Sequence, residues 1–337
     1  MLEPFEDAPV AVREVLAEWR RTGTAEPPAT ASTSTGTDAT DEPDEAGGEE
    51  SVSTSLDDLA SELYLETDFL EQIVNLLDDK RQVIFTGVPG TGKTYVARKV
   101  ARWFTGSADR VRLVQFHPSY SYEDFVQGYR PTPTAGFELV DGPLVELADA
   151  ARNNPTAKYV LVIDEINRAN VARVFGELYF LLEYRDEPAR LQYGRTPFTM
   201  PGNLYIIGTM NTADRSIALL DAALRRRFAF VDFDPEVPPV SELLGKYLAR
   251  EQPAMTWLAD IVARANATID NEHAKIGPSH FLRSDLTPAM VERIWEHIVA
   301  PTIREHYYGR AEPSATVLDS FRTTAPDGHS DDLDDAD

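Results

Sequence analysis

The feature that most constrains this chain of 337 residues is a glycine-rich octapeptide, GVPGTGKT, at positions 87 to 94. It matches the phosphate-loop pattern G-x-x-x-x-G-K-[ST] in full, follows the apolar run QVIFTG and precedes a helical pattern. Its backbone amides can turn toward a phosphate, its lysine can reach the β and γ oxygens, and its last hydroxyl can ligate Mg²⁺. The sequence therefore predicts a nucleoside triphosphate site formed by Gly87, Pro89, Gly90, Thr91, Gly92, Lys93 and Thr94.

A second motif, YVLVIDEINRAN at positions 159 to 170, places two carboxylates after a wholly apolar run. Open α/β sheets bind their ligands at the carboxyl ends of such strands. We expect Asp164 to hold Mg²⁺ with Thr94, directly or through water, and Glu165 to polarise the attacking water beside the γ-phosphate. Asn170 is interpreted as the cap of the next helix.

Strand-like and helical patterns alternate from Leu56 to about Phe233. The strand-like runs are QVIFTG and residues 110–116, 159–163, 204–210 and 229–233, with helical patterns that include 95–104, 143–152 and 171–184. Alternation at these lengths indicates an α/β fold with a five-stranded parallel sheet covered on both faces. Beyond Pro235 the pattern is helical to about Tyr308. We therefore predict an α/β nucleotide-binding domain at 57–234 and a helical lid at 235–322.

The net charge of −24 is concentrated in two segments. Residues 22–55 hold eight acidic groups and residues 323–337 hold six, with no Lys or Arg in either segment. Both are poor in apolar residues and cannot offset the entropy of ordering. The sequence thus predicts a disordered acidic linker at 21–56 and a disordered acidic tail at 323–337. It also predicts a short N-terminal helix at 1–20.

The amino-acid composition bears on the cellular compartment and on membrane association. There are no cysteines, which excludes disulfides and thiolate metal sites and fits a reducing compartment. The N-terminus is acidic without an apolar signal region, and no run of about 18 uncharged apolar residues occurs. We therefore predict a cytoplasmic protein with no membrane span. His117 indicates no metal site, because no His or Cys cluster at ligand spacing accompanies it.

Three consecutive arginines end the short helical pattern LLDAALRRRFAF, at positions 219 to 230. Successive helical side chains diverge by roughly 100°, so Arg225, Arg226 and Arg227 cannot all point at one phosphate. Arg226 or Arg227 can instead project onto the γ-phosphate of a neighbouring subunit as an arginine finger. The alternative is that they are solvated or salt-bridged side chains.

These motifs occur in the order found in the AAA+ superfamily. In addition, the residues of four segments resemble those of the motor subunit of McrB-type, modification-dependent restriction systems. The segments are FHPSYSYEDFVQGYRP (116–131), DEINRAN (164–170), LLEYRD (181–186) and GTMNTADRSI with LDAALRRRF (208–228). The resemblance covers about 57–310. It implies a GTP-hydrolysing AAA+ ring, usually hexameric, that translocates DNA while an McrC-type partner carries the nuclease and stimulates hydrolysis.

The chain departs from the family's best-known member before the linker. A domain that reads methylated cytosine needs roughly 100 residues or more, and about 20 potentially ordered residues precede the linker. We therefore expect target recognition to be absent from this chain or supplied by another one.

The stretch GTMNTADRS (208–216) carries an Asn and an Asp at the spacing by which small GTPases read guanine. Those proteins also need a lysine that packs on the base, where this chain has Thr212. In the AAA+ arrangement its strand lies between the phosphate-loop strand and the DEIN strand. The resemblance therefore assigns Asn211 to orienting water at the γ-phosphate, as a sensor-1 residue. The alternatives are base reading and a purely structural turn. The pairing of Asp214 is left open.

Two further clusters allow alternatives. The aromatic residues between Phe116 and Arg130 can stack on nucleic acid or grip a partner, but such clusters more often pack loop against sheet. In the lid, Ser279, His280 or Arg283 can approach the nucleotide, or the segment can be a capped helix start. For the whole chain, the alternatives to a GTP- or ATP-driven DNA motor are a MoxR-type ATP-dependent chaperone and a nucleotide-gated scaffold.

Overall fold

The computed structural model describes residues 55–133, 136–213, 220 and 222–306. The predicted helix at 1–20, nearly all of the predicted linker and the predicted tail lie outside these residues. Asp214 and the end of the predicted lid, 307–322, also lie outside them.

Nine strands are described in these ranges. They are β1 (Gln82–Gly87), β2 (Val111–Gln115), β3 (Gln127–Thr132), β4 (Gly136–Asp141), β5 (Tyr159–Asp164), β6 (Ala189–Arg190), β7 (Pro197–Phe198), β8 (Leu204–Asn211) and β9 (Ala229–Asp232). Five of them form one parallel sheet in the order β2-β5-β8-β1-β9. The other four form two antiparallel hairpins, β3-β4 and β6-β7. The predicted five-stranded parallel sheet is confirmed, and β8 lies between β5 and β1.

Twelve α-helices of four residues or more are described. They are α1 (Leu56–Leu63), α2 (Thr67–Lys80), α3 (Lys93–Thr105), α4 (Tyr122–Phe125), α5 (Pro143–Asn153), α6 (Val171–Phe175), α7 (Leu178–Glu183), α8 (Ala222–Arg225), α9 (Val240–Glu251), α10 (Trp257–Thr268), α11 (Pro288–Ile294) and α12 (Ala300–His306). A π-helical turn, Trp295–Val299, joins the last two. None of the helices in the described ranges combines the length and the apolar character that crossing a bilayer requires.

The central strands are apolar throughout because both faces of the sheet are covered. Alternate residues of β5 point to opposite faces, so Val160 and Val162 join a core with α1, α2 and α3, whereas Leu161 and Ile163 join a core with α5, α6 and α7. Almost every residue of β5 and β8 is buried. Polar side chains are therefore confined to the ends of these strands.

The structure differs from the sequence-based prediction in two segments between the strands. The helical pattern at 171–184 is two short helices, because Gly176 adopts a left-handed φ of 47° and breaks the run. The segment expected to be irregular contains α4 and the β3-β4 hairpin. Within it Phe116, Tyr122 and Phe125 are buried in the core beside α6, whereas Tyr129 is half exposed on the hairpin. Most of these aromatic residues thus serve packing.

The helices after Pro235 enclose a separate apolar core built from α9 to α12. This lid contacts the phosphate loop through one short segment: Ser279 donates its backbone N–H to the Gly90 carbonyl at 2.9 Å. Gly277 lies directly against the same loop, where a Cβ atom would come within 2.3 Å of the Gly90 carbonyl carbon. The lid is therefore seated on the loop by backbone contact.

A buried polar cluster ties the amino end of β1 to the neighbouring helices. Gln82, which is 3% exposed, donates from Nε2 to the carbonyls of Leu182 (3.0 Å) and Arg227 (2.8 Å). Its Oε1 accepts from Arg185 at 2.6 Å, and Arg185 also donates to the Leu204 carbonyl at 2.7 Å. Burial lowers the pKa of Arg185 to about 10, so the guanidinium is charged at neutral pH and needs these acceptors.

Replacing Gln82 with Leu is expected to lower the free energy of unfolding by about 2–4 kcal/mol, because it removes an acceptor from a buried cation and the donor of two carbonyls. Urea denaturation measures the change. Gln115→Leu, on the exposed side of edge strand β2, is the matched control and should change stability by less than about 0.5 kcal/mol. Equal stability of the two variants would contradict the role given to Gln82.

Candidate nucleotide site

The candidate site lies at the carboxyl ends of β1, β5 and β8. The parallel register pairs Gly87 with Asn211 and Ile163 with Gly208, so the phosphate loop, Asp164 and Asn211 emerge side by side. All three segments leave the apolar sheet at the same edge, and open α/β sheets bind their ligands at the carboxyl ends of their strands. Residues that are far apart in sequence are thereby brought within hydrogen-bonding distance.

The phosphate loop surrounds the Lys93 ammonium. Lys93 is 5% exposed and donates from Nζ to the carbonyls of Gly87 (3.0 Å) and Val88 (2.7 Å). Burial lowers the pKa of Lys93 to about 8, while Glu165 and Asp164 favour the charged form. Gly90 and Gly92 hold left-handed φ values of 81° and 85°, which glycine adopts without strain and which turn the backbone around the lysine. A phosphate bound here would meet a concentrated positive charge.

Thr94 and Asp164 form a pair of hard oxygen ligands beside the loop. The Thr94 hydroxyl donates to Asp164 Oδ1 at 2.6 Å. Mg²⁺ prefers such oxygen ligands and keeps several waters, taking few protein groups besides the phosphates. The donor set therefore fits Mg²⁺, with Thr94 as a direct ligand and Asp164 acting through that hydroxyl or through water. When bound, the ion would neutralise charge on the β and γ oxygens.

Glu165 and Asn211 form the second pair. The Asn211 amide donates from Nδ2 to Glu165 Oε1. Glu165 has a left-handed φ of 53°, unusual for a non-glycine residue, and its side chain also lies 3.6 Å from Arg168 Nε. Asn167, which is 5% exposed, donates from Nδ2 to the Asn211 carbonyl at 3.2 Å. The structure thus brings together the two residues that the sequence assigns to water activation.

The three arginines do not all point in one direction, as predicted, but Arg226 and Arg227 both approach Glu183. Arg227 is held within its own chain: its side chain is 10% exposed and pairs with Glu183 at 2.8 Å. The Arg226 side chain is 65% exposed and approaches Glu183 only at 3.5 Å. The Arg225 guanidinium lies over the Phe230 ring at 5.7 Å. Of the two predicted fingers, only Arg226 presents its side chain to solvent.

Two residues beside the site were not among the candidates drawn from the sequence. Thr209 contacts Asp164 and Glu165, and Asn167 contacts Asn211, but neither has a sequence signature of its own. In the lid, the His280 ring lies against Gly90, and burial lowers its pKa, so the imidazole is neutral at pH 7. Arg283 is instead exposed and paired with Asp285 at 3.0 Å. The lid segment therefore supplies Ser279 and His280, but not Arg283, to the phosphate loop.

Two family models match the chain: an AAA domain of the dynein-related subfamily at residues 82–228, and the alpha-helical lid domain of McrB at 257–314. The chain is 38% identical over 276 residues to the type IV methyl-directed restriction enzyme EcoKMcrB subunit of Escherichia coli (strain K12), covering 75% of this chain and 60% of that protein.

It is 28% identical over 222 residues to the type II restriction enzyme BsuMI component YdiS of Bacillus subtilis (strain 168), covering 53% and 64%. Neuron navigator 3 of Mus musculus is 23% identical over 302 residues, covering 79% of this chain and 12% of its own length. The chain thus spans less than two thirds of each of these relatives.

The sheet order, the phosphate loop and the carboxylate pair define an α/β P-loop NTPase of the AAA+ class with a helical lid. Because both the nucleotide-binding domain and the lid match, the chain belongs to the McrB-type AAA+ proteins.

Replacing Gly277 with Ala is expected to weaken nucleotide affinity by about 5- to 100-fold, since the added Cβ would lie 2.3 Å from the Gly90 carbonyl carbon and force the lid segment off the loop. The φ of Gly277 is −74°, so the effect is steric. Titration with a fluorescent nucleotide measures it. Gly245→Ala, where the Cβ would meet only Ala259 at 3.9 Å, is the control in the same lid and should bind normally. Wild-type affinity in Gly277→Ala would refute the seating role.

Proposed function

We propose that this chain is the motor subunit of an McrBC-type restriction system. It hydrolyses a nucleoside triphosphate with Mg²⁺, GTP in preference to ATP, assembles as a homo-oligomeric ring and drives DNA translocation for a separate McrC-like nuclease subunit. The observation that carries the proposal is the adjacency of two pairs at one sheet edge, Thr94 with Asp164 and Asn211 with Glu165. The first suits a cation and the second suits a nucleophilic water.

The chemistry follows from where these groups lie. Lys93 and the loop amides would bind the β- and γ-phosphates. Glu165 would accept a proton from water in line with the γ-phosphate, and the Asn211 amide would keep that carboxylate and the water aligned. The lid segment at Gly277 and Ser279 would limit access of bulk water to the loop.

The proposed role in a restriction system is supported by the names of the relatives. Both bacterial proteins are named as components of restriction enzymes. GTP preference and the McrC-like partner follow from the resemblance to McrB-type motors. The match to an McrB lid favours this motor over a MoxR-type chaperone, and the complete set of Lys93, Asp164, Glu165 and Asn211 favours turnover over a passive scaffold.

A ring is supported by the position of the arginines. The Arg227 carbonyl is bound by Gln82 at the amino end of β1, whereas the phosphate loop leaves the opposite end of that strand. Five steps along a strand measure about 16 Å, which exceeds the reach of an arginine side chain. Arg226 would therefore act on a neighbour's γ-phosphate, and Arg227, paired with Glu183, would hold the turn that presents it.

Steady-state hydrolysis tests the nucleotide preference. We expect kcat/KM for GTP to exceed that for ATP by about tenfold or more, with both rates abolished by removal of Mg²⁺, because charge on the γ-phosphate must be neutralised. The assays are run with and without the McrC-like subunit. Equal rates, or faster ATP turnover, would defeat the GTP assignment while leaving the hydrolytic site in place.

Mixing two inactive variants tests whether Arg226 acts as an arginine finger on a neighbouring subunit. Glu165→Gln and Arg226→Ala should each bind nucleotide but fail to turn it over. In a 1:1 mixture, roughly a quarter of the interfaces would join an intact Glu165 to a neighbour's intact Arg226, so activity should return. Arg226→Ala mixed with the double variant Glu165→Gln/Arg226→Ala restores no interface and is the control. No recovery in the first mixture would argue against action in trans.

A further inference from the structure

One buried hydroxyl on β8 contacts both acidic residues of the site. Thr209 is 2% exposed and stands two residues before Asn211, on the same face of the strand. Its Oγ1 donates to Asp164 Oδ1 at 2.5 Å and accepts the backbone N–H of Glu165 at 3.2 Å. A hydroxyl has one proton to donate and lone pairs to accept, so both contacts can exist together.

The first contact fixes the Asp164 carboxylate. Oδ1 accepts from two hydroxyls, those of Thr94 (2.6 Å) and Thr209. Two donors on one oxygen hold the carboxylate plane and direct the other oxygen, Oδ2, away from these contacts. Because Thr94 is the residue suited to ligate Mg²⁺, the orientation of Asp164 governs how the cation would be held.

The second contact supports the backbone at Glu165. This residue adopts the left-handed conformation, with φ 53° and ψ 44°. Non-glycine residues remain there only where the surroundings hold them. The Thr209 hydroxyl supplies an acceptor for the N–H that this turn directs into the protein. Loss of that acceptor would favour relaxation of the turn, and the Glu165 carboxylate would shift away from Asn211.

We propose that Thr209 is a positioning residue that couples the cation-holding group to the water-activating group. The proposal rests on the hydrolytic function set out above. Valine matches threonine in size but has neither the proton nor the lone pairs, so Thr209→Val would leave Asp164 with one donor and the Glu165 N–H without its acceptor. Thr209→Ser keeps both contacts and loses only a methyl group.

The test compares Thr209→Val, Thr209→Ser and a control, Thr105→Val. Thr105 is a buried threonine (5% exposed) whose hydroxyl donates to the Ala101 carbonyl, about 18 Å along α3 from Lys93. We expect Thr209→Val to lower kcat by about 10- to 100-fold with KM changed less than about threefold, because water activation is lost and phosphate binding is kept. Thr209→Ser and Thr105→Val should stay within about threefold of wild type.

Two measurements do not depend on turnover. The Mg²⁺ concentration for half-maximal binding of a non-hydrolysable GTP analogue should rise about threefold or more in Thr209→Val, as it does when an outer contact of a metal ligand is removed. Hydrogen exchange of the peptide at 159–168, measured without nucleotide, should be faster at Glu165 in that variant and unchanged in Thr209→Ser. If Thr209→Val does not fold, Thr209→Ala takes its place.

Distinct outcomes overturn distinct claims. An unchanged Mg²⁺ dependence and unchanged exchange at Glu165 in Thr209→Val would overturn the positioning role. A loss of activity in Thr209→Ser as large as in Thr209→Val would assign the effect to packing of the methyl group, and an equal loss in Thr105→Val would assign it to general destabilisation. Absence of hydrolysis in the wild type would defeat the proposed function, while the binding and exchange measurements would still decide the role of Thr209.

Discussion

The pairing of β8 with β5 on one side and β1 on the other is the interaction on which the site depends. Apolar side chains on both faces of these strands fix the register, and the register sets Asn211 beside Gly87 and the end of β5 beside β8. A slip of one residue would turn Thr209 and Asn211 to the opposite face. The same burial that stabilises the sheet therefore determines the distances between the polar groups at its edge.

Much of this arrangement could be predicted from the sequence because the chemistry at each point is local. Lys93 and Thr94 follow from one glycine-rich pattern, and Asp164 follows from its place after an apolar strand. Strand order, by contrast, is a long-range property. The family resemblance predicts that β8 lies between β5 and β1, and the structure confirms it. The five strands were thus predictable, with boundaries accurate to a residue or two, and so was the presence of a helical lid after them.

The parts that the sequence left open depend on tertiary contacts. Thr209 has no signature of its own, because a threonine before Met-Asn reads as an ordinary strand residue until its hydroxyl is seen between Asp164 and Glu165. The break at Gly176 was hidden by apolar spacing that suits one long helix. The different exposure of Arg226 and Arg227 depends on Glu183, which lies on another helix.

Strand β1 carries the phosphate loop at one end and, through Gln82, the carbonyl of Arg227 at the other. In the proposed ring, each molecule thus contributes its phosphate loop to one catalytic centre and its arginine to the centre of a neighbour, and no molecule contains a complete centre. Its specific activity would then rise with protein concentration and fall on dilution, as subunits separate. A P-loop enzyme that completes its site within one chain would show constant activity per molecule over the same range.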